Sequence, residues 1–309
     1  MYVLETINIS KQYKDTLAVN KVNMHIEEGD IYGFVGDNGA GKTTIIRLIS
    51  GLIKPTEGEY KLFGISSNYK EIYKVKRDVG GIVEKVAINK TLNALDNLKY
   101  QCMITNNKKS EKELISLLKT VGLDYDRLKR KRTGRYSLGM KQRLGLAIAM
   151  VSDPKFVMLD EPMNGLDPKG FVALREAILN LHEKGVTFLI SSHILSELDK
   201  ICNKVGFISH GKLLEELTIE ELHKKARQKI FIEKENINNF KEIIIKKFNV
   251  QEYEVENNKL FIFDDIDINE IMKYLLKNEI AVNNIGVIQD TIEDYYFKIT
   301  GGKKQWKAS

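Results

Sequence analysis

Only two cysteines occur in 309 residues, Cys102 and Cys202. They lie far apart with no metal-ligand spacing around them, which excludes a disulfide framework or a zinc cluster and fits ordinary thiols in a reducing compartment. Also missing is any run approaching the roughly 20 uninterrupted apolar residues of a membrane-spanning helix. The N-terminal string MYVLETINISKQY alternates apolar and polar residues and lacks the character of a signal peptide. A cytoplasmic protein that does not itself cross a membrane is therefore expected. There is no internal repeat. The excess of charge of one sign is small as well: 48 Lys and Arg against 42 Asp and Glu leave a net charge of +6. The lysines are spread along the chain, and only Arg127, Lys129, Arg130, Lys131, Arg132 and Arg135 form a tight basic run. Such a run reads first as a solvated face, with an anionic membrane surface and nucleic acid as the other readings; no nucleic-acid partner is expected.

The hydrophobic content, 43% of the chain, suffices for one large core plus a smaller second domain. Glycine is concentrated where it matters. The string Gly36-Asp37-Asn38-Gly39-Ala40-Gly41-Lys42-Thr43-Thr44 follows the apolar run Ile31 to Val35 and leads into Ile45-Ile46-Arg47-Leu48-Ile49, so a phosphate-binding loop sits between a strand and a helix. Glycines 36, 39 and 41 let backbone N–H groups turn inward, Lys42 reaches the outer phosphates, and the Thr43 hydroxyl is placed to ligate Mg²⁺ at the positive helix end. A nucleoside triphosphate is the expected ligand.

The run Lys155 to Leu159 reads as a buried strand ending in Asp160 and Glu161 before Pro162. A carboxylate there is costly unless a cation or donor meets it. Asp160 is the expected Mg²⁺-site partner of Thr43. Glu161, pointing the other way if the strand continues, is placed to polarise a water toward a γ-phosphate. Between the two halves stands Tyr136-Ser137-Leu138-Gly139-Met140-Lys141-Gln142-Arg143, followed by an apolar helix. Ser137 caps that helix and, with Gly139, offers a second anion-binding end. Two such ends are explained if two copies meet head to tail, each supplying Ser137 and Gly139 to the triphosphate held by the other.

With these elements in this order, the chain resembles the ATP-binding subunit of an ATP-binding-cassette (ABC) transporter, whose signature usually reads LSGGQ and here reads YSLGMKQR. The resemblance implies ATP and Mg²⁺ as cofactors, a second copy and an integral membrane permease as partners, and a peripheral position on the inner face of the membrane. It assigns Asn164-Gly165-Leu166-Asp167 to the dimer seam, with Asp167 at the nucleotide. It also makes His193, after the strand Val186 to Ile190, a contact of the γ-phosphate, and Tyr13 the ring stacked on adenine. The family usually has glutamine where this chain has Glu84, after Asp78 to Val83; the resemblance places Glu84 at Mg²⁺ or the attacking water. Asp37 is a second departure, expected to face solvent.

The fold implied is α/β, a P-loop NTPase core of the ABC type over residues 1–226, with an antiparallel β subdomain containing Val3 to Ile9 and Val22 to Ile26. A helical insert over about 85–136 carries the stripes Leu92-Leu95-Leu98 and Leu114-Leu117-Leu118-Val121. In the family, the cleft between insert and core, beside Glu84, receives a short helix of the membrane subunit. A charged linker, Glu220 to Gln228, is expected before a C-terminal α+β domain, 227–309. Its pattern is strand Ile230–Ile232, helix Ile237 to Phe248, strands Tyr253–Val255 and Leu260–Ile262, helix Ile268 to Leu276, and strand Ile280 to Val287. This is the ferredoxin-like β-α-β-β-α-β order, closed by a helix Thr291 to Ile299. It has no glycine-rich loop, histidine cluster or catalytically spaced carboxylates, and reads as an interaction or dimerisation module.

Over its whole length the chain resembles the ATPases of bacitracin-type and lantibiotic-immunity exporters. The residues that carry this are SLGMKQRL, Glu84, ISSHILSEL and the tail Ile292-Glu293-Asp294-Tyr295-Tyr296-Phe297-Lys298-Ile299-Thr300-Gly301-Gly302. Sodium, copper and lipid exporters share these softer features and stand as the alternative, together with a regulatory ATPase outside transport.

Overall fold

The structure, a computed structural model, describes residues 1–225, 228–289 and 292–301. Backbone contacts divide it into two units, Met1–Ile219 and Glu220–Ser309. No helix among the described residues is long and apolar enough to cross a membrane.

The first unit opens with β1 (Tyr2–Tyr13), β2 (Thr16–Val22), β3 (His25–Glu27), β4 (Ile31–Val35), α1 (Lys42–Ser50), β5 (Glu57–Leu62) and β6 (Ile65–Ser66). The short α2 (Ile72–Val75) and β7 (Val79–Ile82) follow. Strands β2, β1, β5 and β6 form an antiparallel sheet in that order, with β3 also paired to β1. The N-terminal strand runs four residues past Ile9, to Tyr13, because it is not a simple alternation. Asn8 takes a left-handed backbone (φ 48°) and the register shifts between Ile7 and Ser10. β1 pairs with β3 before this bulge and with β2 after it, while β5 pairs with it on both sides of the bulge.

Helices α3 (Ala94–Thr105), α4 (Glu111–Thr120), α5 (Tyr125–Leu128) and α6 (Leu138–Ala149) come next. The stripes expected in the insert are buried at Leu95, Leu98, Leu114, Leu118 and Val121. Leu92, however, precedes the first helix, because Asn93 caps it by accepting the Asp96 N–H at 2.9 Å. Ser110 and Glu113 form a reciprocal capping box on α4.

The unit closes with β8 (Phe156–Asp160), α7 (Pro168–His182), β9 (Thr187–Ser192), α8 (Leu195–Leu198), β10 (Lys204–Ser209) and β11 (Lys212–Thr218). A six-stranded sheet runs β11-β10-β4-β9-β8-β7, parallel except for β11. Every residue of β4, β8 and β9 is buried, as continuous apolar strands covered on both faces should be. Parallel pairing brings the carboxyl ends of these three strands together: Val35 lies opposite Ser192, and Ser191 opposite Asp160. Ligand sites of open α/β sheets form at that edge. Helix α1 fixes the phosphate loop against both sheets, since Ile45, Ile46, Leu48 and Ile49 share one core with Leu4, Val22, Phe156 and Leu189.

Helix α9 (Ile219–Lys225) begins on the last residue of the first unit, and the second unit continues with β12 (Gln228–Glu233), α10 (Ile237–Phe248), β13 (Tyr253–Glu256), β14 (Lys259–Ile262), α11 (Ile268–Lys277), β15 (Asn284–Gln289) and α12 (Ile292–Thr300). Its sheet runs β13-β14-β12-β15, all antiparallel. Ile230, Ile232, Phe240, Ile244, Leu260, Ile262, Ile271 and Leu275 make its core. Two expectations are corrected. The charged linker is helical over 219–225, because Leu222 is fully buried and draws the segment into a turn of helix. The last strand begins at Asn284 rather than Ile280, because the Ile280 N–H closes α11 on the Leu275 carbonyl (2.9 Å) after a left-handed Glu279. Residues 226–227 of the expected linker, Thr291 of the closing helix and Gly302 of the tail motif lie outside the described residues.

Candidate functional site

The loop from Gly36 to Gly41 leaves β4 and enters α1 without a side-chain cap and without an acid in the first helical turn. The helix N–H groups and the positive dipole end therefore stay available to an anion. Gly41 is required at the join: its φ is 110°, and a Cβ there would lie 2.8 Å from the Ala18 carbonyl oxygen. Asp37, Asn38 and Gly39 are exposed, as expected for Asp37; Ala40 is buried, and Thr44 is half-buried on α1.

Lys42 is only 5% exposed. Its Nζ donates to the carbonyls of Gly36 (2.5 Å) and Asp37 (3.1 Å) and lies 3.2 Å from Glu161 Oε1, an ion pair without hydrogen-bond alignment. Beside it, the Thr43 hydroxyl donates to Asp160 Oδ2 at 2.9 Å, and Ser191 Oγ donates to Asp160 Oδ1 at 2.7 Å. The Asp160 residue is 4% exposed, so these donors offset a large desolvation cost.

Glu161 does not continue the strand. β8 ends at Asp160, and Glu161 turns with φ 47°, its N–H donating to Ser191 Oγ (3.0 Å) and to the Ser191 carbonyl (3.2 Å). The side chain is thereby aimed at the phosphate loop alongside Asp160, not away from it. Its Oε2 lies 2.7 Å from His193 Nδ1. Two parallel rows result: Thr43–Asp160–Ser191 and Lys42–Glu161–His193. Ser191 joins them, a residue for which no role is read from the sequence, although its place two residues before His193 on β9 is the available signal.

Glu84 is not brought to this cluster. It follows β7 in a left-handed conformation (φ 61°), and its exposed carboxylate pairs with the guanidinium of Arg47, in the last turn of α1. The resemblance puts Glu84 at Mg²⁺ or the attacking water; here its carboxylate is engaged by Arg47. Tyr13 lies at the end of β1, 41% exposed, with Lys11 Nζ 5.3 Å from its ring centre; β2, paired with this end of β1, also borders the phosphate loop at Ala18.

Ser137 caps α6, accepting the Met140 N–H at 3.3 Å. Gly139 is buried where α6 crosses α7: its Cβ would stand 3.3 Å from Gly170 Cα. Asp167 caps α7 by accepting the Gly170 N–H at 3.0 Å. Gly165 packs on Leu138, so the signature and the 164–167 loop form one surface. Among the described residues, no hydrogen bond joins Ser137, Gly139 or Asp167 to the phosphate loop of the same chain.

The hard oxygens of Thr43 and Asp160, at a positive helix end beside a phosphate cradle, suit Mg²⁺, which takes one or two protein oxygens and completes its shell with phosphate and water.

A profile of the ABC transporter family matches residues 19–164. The bacitracin transport ATP-binding protein BcrA of Enterococcus faecalis is 38% identical over 304 residues, covering 97% of each chain. The BcrA protein of Bacillus licheniformis is 37% identical, covering 97% of this chain and 98% of that one. The lantibiotic transport ATP-binding protein SrtF of Streptococcus pyogenes is 40% identical over 212 residues, 69% of this chain and 89% of that one. Among solved structures, a dimeric post-hydrolysis ATP-binding cassette bound to ADP and Pi matches with a TM-score of 0.63 and 26% identity, covering 70% of this chain and 98% of that one. A cassette P-loop at the edge of a parallel sheet and full-length likeness to transport ATP-binding proteins lead to one conclusion: this chain belongs to the ATP-binding proteins of ABC transporters and is an ATPase.

Proposed function

We propose that the chain powers an exporter that removes a cell-envelope-directed peptide antibiotic, as one of two head-to-tail copies held on the inner face of the membrane by a permease. The observation that carries the catalytic part is the convergence of Lys42, Glu161 and His193 on one end of the sheet. With nucleotide in the loop, the Lys42 ammonium exchanges carbonyl partners for phosphate oxygens, and Glu161 is freed to accept a proton from the attacking water. His193, bonded to Glu161 Oε2, holds that carboxylate in place. Thr43 and Asp160 would hold Mg²⁺, which would supply neutralisation of the charge on the phosphates. The surface of Ser137, Gly139 and Asp167 completes the nucleotide site of the other copy.

The peptide cargo is supported by the two BcrA relatives, aligned from end to end, and by SrtF. Exposed apolar side chains suited to a permease helix occur on the core, at Leu52 and Tyr73, and on the insert, at Tyr100, Met103 and Ile104. The test replaces the chain in its host by Glu161→Gln. Greater sensitivity to bacitracin or a lantibiotic, with sodium and copper tolerance unchanged, supports the reading; the reverse pattern rejects the peptide cargo and leaves the ATPase assignment standing.

A further inference from the structure

The ABC-type site uses none of the cations just upstream of Ser137. Six of the nine residues from Arg127 to Arg135 are Lys or Arg, and all six are exposed. Arg127 pairs with Asp124 at 3.2 Å, and Lys131 Nζ lies 5.7 Å from the ring centre of Tyr136. Lys129, Arg130, Arg132 and Arg135 have no carboxylate within ion-pair distance among the described residues. Like charges so close repel, yet the backbone is tied by hydrogen bonds: Lys131 N–H donates to Leu128 O (2.8 Å) and Arg135 N–H to Arg132 O (3.0 Å). The fully buried Thr133 pins the segment, its hydroxyl donating to Asn89 O (2.9 Å) and its N–H to Leu92 O (2.9 Å). Gly134 N–H donates to Lys90 O (2.9 Å), which sets exposed Lys90 beside the run.

From these features we infer that this basic ridge is a contact surface for anionic phospholipid headgroups. No large apolar side chain is exposed between Ile104 and Leu138, so the ridge has no anchor of the kind that centres a protein interface. Nor does it present an exposed aromatic platform for bases, since Tyr136 is buried. A fixed row of long cations with neither pocket nor apolar centre matches a plane of mobile phosphates, each cation near the surface strengthening binding about fivefold. The inference stands apart from the cargo assignment and does not depend on hydrolysis.

The test is co-sedimentation of the full chain with vesicles of phosphatidylcholine alone and of phosphatidylcholine doped with phosphatidylglycerol. The account predicts binding only to the doped vesicles, weakening as salt is raised, and a loss of about 100-fold for the combined Arg130→Gln, Arg132→Gln, Arg135→Gln variant, with about fivefold for Arg130→Gln alone. Lys246→Gln, Lys273→Gln, Lys277→Gln removes the same net charge from exposed lysines of the second unit and should leave binding intact. Equal binding to neutral vesicles overturns the inference, as does an equal loss in the second-unit variant. Displacement of the chain from doped vesicles by a DNA duplex that itself binds more tightly at the same salt, with the same variant sensitivity, would assign the ridge to nucleic acid instead.

Discussion

Replacing Ser191 by Ala removes one hydroxyl that serves both rows of the site. Its Oγ donates to Asp160 Oδ1 at 2.7 Å and accepts from the Glu161 N–H at 3.0 Å, while Ser191 itself is fully buried. The second bond has a substitute, because the same N–H already reaches the Ser191 carbonyl at 3.2 Å. The first does not: Asp160 keeps only the Thr43 hydroxyl, and a buried carboxylate loses a donor. Hydrogen bonds to charged groups contribute about 1.5–3 kcal/mol, so the stability loss should fall in that range. Activity should fall too. The left-handed turn at Glu161 loses one of its two ties, and loosening a positioned base by a fraction of an ångström costs on the order of tenfold in kcat or more. Urea unfolding followed by circular dichroism, with steady-state ATPase assays on the same preparations, reads both effects. A stability change under about 0.5 kcal/mol, the level of an indifferent surface substitution, with unchanged kcat would refute the reasoning.

Three further substitutions or reagents probe the loop, the core and the composite site. Gly41→Ala forces a Cβ to within 2.8 Å of the Ala18 carbonyl at φ 110°, and should cost about 1–3 kcal/mol together with nucleotide affinity; an unchanged melting temperature would contradict the loop geometry. Cys202 is buried, its Sγ 2.9 Å from the place a Cβ would take on Gly33, and burial pushes its thiol far above the ordinary range; it should resist alkylation at pH 8 until the fold is opened by denaturant, and rapid labelling of the native chain would count against this packing. Mixing a Lys42→Ala chain with a Ser137→Ala chain should restore part of the ATPase activity that each alone lacks, because one intact composite site forms in each mixed dimer; no recovery in mixed dimers verified by tag pull-down would argue that each chain works alone.

Spacing made the phosphate loop, the Asp160–Glu161 pair and the β-α-β-β-α-β pattern legible, since each depends on local rules: glycine conformation, a strand ending in acids, alternation against helical periodicity. What the sequence concealed were long-range partners and local backbone exceptions. Strand alternation puts Glu161 on the side opposite Asp160, whereas its φ of 47° turns it toward Lys42. Glu84 carries the right charge for a metal contact, but Arg47 on α1 holds it. Ser191 reads as one more small residue in a buried strand until β8 and β9 pair and put it between Asp160 and Glu161. Asn8, Leu92 and Leu222 show the same limit in the fold, where a bulge, a cap and a buried leucine moved element boundaries that alternation alone does not set.

We propose Glu161 as the base in a site completed by a second chain. The most direct measurement is ATP binding, turnover and oligomeric state of Glu161→Gln on one preparation. The amide keeps the shape and loses the proton acceptor, so ATP affinity should be retained, turnover should drop by a factor on the order of 10²–10⁴, and an ATP-dependent dimer should accumulate on size exclusion. Near-normal hydrolysis by a chain that stays monomeric with ATP would contradict the account.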